Sequence, residues 1–267
     1  MKKVGLIAGN GKFPILFSEA ARKRGVSVIA VALKEETSPE LEKFVDKIYW
    51  IGLGELKSLI DIFRKEGIKK AVMAGKITKT RLFKNTPKLD SATQRLLKKA
   101  ADKKDMSLLK KAAGMLKVFG ITLIDSTTYM EEYLPEKGVL SERKPTKEEW
   151  ADIKFGFSLA KRMSALDIGQ TVVVKSKTIL AVEAIEGTDE AVIRGGRLGN
   201  GDVIVVKTAR PRQDKRFDVP TIGPETMNSL VKAGGGVLAI EAGKMFLIDR
   251  EACIGLANKN GFSFVAV

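Results

Sequence analysis

Asp214 and Asp218 stand four positions apart in a segment, 207–226, that also carries five cations, Lys207, Arg210, Arg212, Lys215 and Arg216, and three prolines. The prolines keep it out of any regular element. Carboxylates so placed suit Mg2+, which takes one or two of them and completes its shell with waters and phosphate oxygens. The cations suit a pyrophosphate. The same charges read equally as a surface loop laced with ion pairs. A second acidic group, Glu183, Glu186 and Asp189, lies in 181–189, where an apolar run is expected to form a strand that carries Glu183 and ends in Glu186. Acids inside such a strand are expected to be paired or ligating. Glu186 and Asp189 are therefore alternative carboxylates for the same work. Thr188-Asp189 reads equally as the cap of the next helix.

Backbone donors supply the other half of a phosphate site. Gly9-Asn10-Gly11-Lys12-Phe13-Pro14 follows a short apolar stretch and leads into an amphipathic one. A strand that ends in glycines and enters a helix offers N–H groups and a helix dipole to an anion. The third glycine of a dinucleotide fingerprint is missing, with Pro14 in its place, although Glu35 and Glu36 fall where a ribose-binding acid would sit. A tight structural turn is the competing reading. Gly75-Lys76 follows another apolar stretch, and Lys76 can reach a phosphate as a point charge or remain an ordinary surface lysine.

Composition narrows the chemistry further. The chain has no histidine and one cysteine, Cys253. That excludes a Ser-His-Asp triad, a His-based zinc site, an intramolecular disulfide and a CxxC motif. Carboxylates, Lys, Arg, hydroxyls, amides, backbone N–H groups and an oxygen-liganded metal remain. The formal charge is +15 over 267 residues. Residues 1–133 hold 27 basic and 15 acidic groups, and 76–117 alone hold 13 and 3. Such a stretch attracts anions, whether nucleic acid, an anionic bilayer face or a phosphorylated ligand. Neither a stacking array of aromatics nor a nucleic-acid motif accompanies it, so no nucleic-acid partner is expected. No apolar run reaches the roughly 18 residues of a membrane span. The N-terminal apolar stretch is too short for a signal sequence, so a cytoplasmic protein is expected.

The elements that must position these groups alternate. Strands are expected at 3–8, 27–33, 47–51, 70–74 and 122–125. Helices are expected from Pro14 to 24, at 55–66, 91–101 and 105–119. This alternation argues a parallel, Rossmann-like sheet for an N-terminal domain, 1–133, that binds nucleotide or phosphate. Residues 134–146, with Pro135, Gly138 and Pro145, read as a linker. A capping box at Thr146–Glu149 then opens a helix to about residue 166. Strands at 171–174, 180–185, 203–206, 236–241, 246–248 and 262–267, with helices near 190–194, 225–233 and 250–260, make 147–267 a second, C-terminal α/β domain with the catalytic groups.

Taken together, these segments resemble the UDP-2,3-diacylglucosamine pyrophosphatase family of lipid A biosynthesis, the type not built on the metallophosphatase fold. The resemblance rests on 6–14, Ala74-Gly75-Lys76, 167–173, 181–189, the Gln-Asp-x-Arg-x-Asp-x-Pro-x-x-Gly segment 213–223, and 238–243. Lys177 departs from the family's glycine turn. The resemblance implies hydrolysis of UDP-2,3-diacylglucosamine to UMP and 2,3-diacylglucosamine 1-phosphate (lipid X) with Mg2+. It places the essential aspartate at Asp218, with Asp214 its competitor, and it makes Asp218, Asp214 and Glu186 candidate metal ligands. Gly9, Asn10, Gly11, Gly75, Lys76, Gln170, Thr188, Asp189, Lys207 and Arg212 are candidate substrate contacts. A diacylated substrate implies peripheral attachment to the anionic inner face of the inner membrane, and a homo-oligomer is compatible with it. The competing readings are a nucleotide-cofactor oxidoreductase built on the Gly9-x-Gly11 turn, and a basic nucleic-acid- or membrane-binding protein without catalysis.

Overall fold

The computed structural model describes residues 2–76, 90, 93–94 and 105–267, with backbone alone for 105–108. The chain divides into two compact units. The first takes Met1–Met130 together with Asp214–Asp218, and the second takes Glu131–Gln213 and Val219–Val267.

In the first unit, strands β1 (Lys2–Ala8), β2 (Val26–Leu33), β3 (Lys47–Ile51), β4 (Lys70–Ala74) and β5 (Thr122–Leu123) alternate with helices α1 (Phe13–Lys23), α2 (Leu56–Lys65) and α3 (Asp105–Val118). The strands form one sheet in the order β3-β2-β1-β4-β5, every pair parallel. The run Val-Ser-Val-Ile-Ala-Val-Ala-Leu of β2 is buried at every position but Ser27, as expected of a strand covered on both faces. One face packs Ile29, Val31 and Leu33 against Phe63 and Leu116, with Phe217 lying on the same cluster. The helix expected at 91–101 falls outside the described residues, apart from 93–94. Strand order reverses between β1 and β4, so their carboxyl ends form the edge where open α/β sheets bind ligands.

The second unit is built on a mixed sheet in the order β6-β13-β11-β9-β7-β8. Its strands are β6 (Gly138–Val139), β7 (Thr171–Lys175), β8 (Thr178–Val182), β9 (Ile204–Lys207), β11 (Val237–Ile240) and β13 (Ser263–Ala266). β9, β11 and β13 run parallel, whereas β6, β7 and β8 pair antiparallel. A small parallel pair joins β10 (Thr221–Ile222) to β12 (Phe246–Leu247). Alternation along each strand sends Val172, Val174, Ile204 and Val206 to one face, under Ile153 and Ala160 of helix α4 (Lys147–Ala165). It sends Val173, Val203, Val205 and Leu238 to the other. There they meet helices α5 (Thr188–Gly199), α6 (Pro224–Lys232) and α7 (Arg250–Asn260). The capping box is present: the Thr146 hydroxyl accepts from Glu149 N–H, and the Glu149 carboxylate accepts from Thr146 N–H.

Two expectations need correction here. The stretch 134–146 is not bare linker, because β6 lies in it and pairs with β13 at the sheet edge. The strand expected at 180–185 runs instead from Thr178 to Val182, the second arm of a hairpin with β7. Asp152 of α4 accepts from Ser176 N–H at 2.7 Å and Lys177 N–H at 2.8 Å, fixing the hairpin turn and hence where β8 begins. Glu183 and Glu186 therefore sit in the turn after β8, not inside a strand. Among the described residues no helix is long and apolar enough to cross a membrane.

Candidate functional site

The first unit's edge brings two predicted segments together. Gly9 N–H donates to Ala74 O at 2.8 Å, Asn10 N–H to Lys76 O at 2.8 Å, and Lys76 N–H to Asn10 O at 2.9 Å. These bonds extend the β1–β4 pairing past the strand ends, and only glycine permits so close an approach. A Cβ on Gly9 would meet Lys76 O at 2.6 Å, and one on Gly75, whose φ is +93°, would meet Asn10 O at 2.7 Å. The N–H groups of Gly9 and Asn10 are thus used inside the protein. They are not offered to an anion, which removes two of the donors that a dinucleotide turn needs. Asn10, Gly11, Gly75 and Lys76 are exposed at this edge. The Thr37 hydroxyl closes the end of β1 by donating to Ala8 O at 2.7 Å.

The aspartate segment reaches the same sheet. Ser126, just beyond β5, donates to Lys215 O from its N–H at 3.0 Å and from its hydroxyl at 2.6 Å. Phe217 inserts among the apolar side chains of the first unit. Within the segment, Phe217 N–H and Asp218 N–H both donate to Asp214 O, giving a tight turn. Arg216 grips the Asp214 carboxylate with a fork, Nε to Oδ1 and Nη2 to Oδ2, each 2.8 Å. Those hydrogen bonds hold the Asp214 carboxyl below its ordinary range against the opposing effect of burial, and they raise Arg216 in turn, with Asp125 adding to it. Both oxygens of Asp214 thus accept from its own neighbour. Asp218 is half-buried on the same turn.

The second unit gathers polar side chains at the carboxyl end of β9. The Glu183 carboxylate accepts from Gln170 N–H at 3.0 Å and from the Thr188 hydroxyl at 2.9 Å, and Thr188 Oγ1 lies 3.4 Å from Thr171 Oγ1. Gly169 is required here, because a Cβ would come within 2.1 Å of Glu183 O. Thr188 and Asp189 open α5 behind Gly187, and Asp189 Oδ1 is buried without a partner. The ammonium of Lys207, a candidate phosphate clamp, is drawn inward to Thr221 O at 3.1 Å. Arg212 is exposed. Glu186 pairs with Arg194 at 2.6 Å and accepts from Ala184 N–H at 3.1 Å. Backbone hydrogen bonding is the main cause of its lowered carboxyl pKa.

Among the described residues no group of three or more acidic or cysteine side chains is placed to hold a metal. Asp214 and Glu186 are each tied to an arginine. Burial pushes the Cys253 thiol up to about 12, which leaves it inert. Sequence reasoning missed Ser126, Phe217 and Thr208. The Asp125-Ser126 pair directly after β5 was the available signal for the first, and a hydroxyl beside Lys207 for the third.

A model described as the LpxI N-terminal domain matches residues 3–133, and one described as the LpxI C-terminal domain matches 136–265. A curated protein of Caulobacter vibrioides, named UDP-2,3-diacylglucosamine pyrophosphatase LpxI, is 30% identical over 278 aligned residues, covering 100% of this chain and 98% of that protein. Solved structures share less. N5-carboxyaminoimidazole ribonucleotide synthetase from Thermotoga maritima has a TM-score of 0.24 at 16% identity over 70% of this chain. UDP-glucose 4-epimerase from Bifidobacterium longum, with NAD+ and UDP, has 0.30 at 16% over 54%. The chain spans 42% of each of these structures.

Proposed function

Because the chain belongs to the LpxI family, we propose that it hydrolyses the pyrophosphate of UDP-2,3-diacylglucosamine to UMP and 2,3-diacylglucosamine 1-phosphate, with Mg2+, in lipid A biosynthesis. The observation that supports this reading is the seating of Asp214–Asp218 on the first unit, where Ser126 beyond β5 holds Lys215 O and the Asp214 carboxylate is fixed by Arg216.

In this reading water bonds to one phosphorus as the bridging P–O bond breaks, and the proton that water loses needs an acceptor. The chain has no histidine, so a carboxylate takes that place, and Asp218 orients the water and accepts the proton. Asp214 fixes Arg216, and through the turn it fixes the position of Asp218. Lys76, exposed at the β1–β4 edge, counters the phosphate charge. Gln170, Thr188 and Asp189 lie together at the second unit's polar edge. Mg2+ commonly takes one or two carboxylates and fills its shell with phosphate oxygens, a mode that Asp218 fits without a cage. When bound, the ion would neutralise charge on the pyrophosphate.

Product analysis with UDP-2,3-diacylglucosamine, with Mg2+ and with chelator, tests the reading. UMP and the 1-phosphate should appear only with metal. Asp218→Ala should cut kcat by about 10²–10⁴-fold with little change in substrate affinity. Intact substrate with the wild type would refute the activity, and full turnover in Asp218→Ala would refute the role of that residue. Peripheral docking on an anionic leaflet belongs to the same proposal and rests on the charge of +15. Co-sedimentation with anionic vesicles should then fall as salt rises, and equal binding to neutral vesicles would contradict it.

A further inference from the structure

Gln170 and Thr208 face each other across the β7–β9 pair. The register sets Thr171 opposite Lys207, and Thr208 N–H donates to Gln170 O at 2.9 Å, so 170 and 208 occupy the next opposed position. Opposed residues of an antiparallel pair carry their side chains on one face, with Cβ atoms about 4.5–5.5 Å apart. Both side-chain oxygens are buried and have no hydrogen-bond partner, and Thr208 is 0% exposed. Such groups are rare in native proteins, because a buried oxygen without a donor loses its bonds to water and gains nothing.

Several groups around the pair are satisfied, although Asp189 Oδ1 of the same unit is also buried without a partner. Gln170 N–H is held by Glu183. Ala209 N–H donates to Glu241 Oε2 at 2.9 Å, and Lys161 Nζ donates to both Ala209 O and Glu241. The fold thus fixes the backbone on either side and leaves two side-chain oxygens over, at the carboxyl end of β9, the end of the parallel strands where ligands bind.

The chemistry of the two atoms selects their partner. An amide oxygen only accepts, whereas a threonine hydroxyl accepts or donates. An ionised phosphate oxygen is itself an acceptor and would face the lone pairs of Gln170 Oε1. A hydroxyl or an amide N–H satisfies both atoms. We propose that the Gln170–Thr208 pair is a subsite for a hydroxyl or amide N–H on the sugar of the ligand, rather than for its phosphates. This rests on the reading of the chain as a UDP-sugar hydrolase and assigns one part of that substrate to one place.

Thr208→Val, which keeps the shape and removes the hydroxyl, separates this role from a structural one. Removing an unsatisfied buried hydroxyl should leave Tm unchanged or raise it. The kcat/KM for UDP-2,3-diacylglucosamine should fall about tenfold, the size of one hydrogen bond, and Thr208→Ser should restore it. Two nucleotides then locate the contact. UMP should raise Tm equally in wild type and Thr208→Val, while UDP-N-acetylglucosamine should raise it less in the variant. A lowered Tm with unchanged kcat/KM would show that the hydroxyl is satisfied within the protein or by a buried water, and would overturn the proposal. An equal loss with UMP, or no shift of the wild type by UDP-N-acetylglucosamine, would overturn the assignment to the sugar. Should the wild type fail to hydrolyse UDP-2,3-diacylglucosamine, the proposed function falls, while the comparison of the two nucleotides still decides the subsite.

Discussion

Asp214 and Asp218 are the same residue type on one turn, and Asp214 is the one held by Arg216. The Arg216 fork takes both oxygens of Asp214 at 2.8 Å, the bidentate geometry for which guanidinium is suited. It also holds the Asp214 carboxyl below its ordinary value of 3.8. A group whose folded pKa is depressed contributes stability that is complete above its unfolded pKa and is lost as pH falls through the folded value. The Asp214 contribution should therefore be present at pH 7 and disappear only below about 3.8. Both side chains are partly solvated, so its size is modest. Urea unfolding of wild type and Asp214→Asn should show the variant less stable at pH 7, with the gap closing as pH falls below 3.8. A gap that persists unchanged at pH 2 would mean that the fork contributes nothing through its charge.

At the scale of elements, the β7–β8 hairpin depends on a helix. Ser176 and Lys177 both adopt left-handed conformations, with φ of 49° and 55°, which strain side chains other than Gly, Asn and Asp. Lys177 tolerates this because Asp152 holds both N–H groups of the turn with one carboxylate, so the departure from a glycine turn is compensated from α4. Asp152→Ala should cost about 1–3 kcal/mol by leaving those donors without a charged acceptor. Chemical denaturation measures this, and a loss within experimental scatter would remove Asp152 as the pin of the hairpin. The same residue explains what was legible in the sequence. The run of 26–33 and the caps around α4 announce themselves locally, and the first unit's strands and the capping box stand where periodicity put them. The apolar stretch Ile179–Ile185 has no internal mark of where its strand starts. Asp152, remote in sequence, sets that start, so Glu183 and Glu186 lie beyond a strand that ends at Val182. β6 was hidden for a related reason, since so short a strand is defined only by its partner in β13.

At the scale of the whole molecule, one segment packs with a unit remote from it in sequence. The family models split the chain at residues 133 and 136, yet Asp214–Asp218, inside the second match, belongs to the first unit. No local pattern reveals this, because Ser126 and Phe217 decide it through contacts distant in sequence. The consequence is a coupling between packing and chemistry. Phe217 is anchored in the first unit's apolar cluster and directly precedes Asp218, so the anchor sets where the carboxylate stands. Phe217→Ala removes the anchor. It should cost about 1–3 kcal/mol of stability, the range for losing a largely buried aromatic contact. It should also lower kcat by about 10²-fold, because a catalytic group displaced by about 1 Å loses that much. KM should hold, since Asp218 is read as acting on the attacking water in the transition state rather than in substrate binding. Phe217→Leu, which keeps an apolar anchor, should recover most of both losses. Steady-state kinetics and thermal unfolding on the three proteins measure the two effects together. A Phe217→Ala enzyme with lowered Tm and wild-type kcat would show that the turn holds Asp218 without its anchor. Wild-type values of both would mean that Ser126 alone seats the segment.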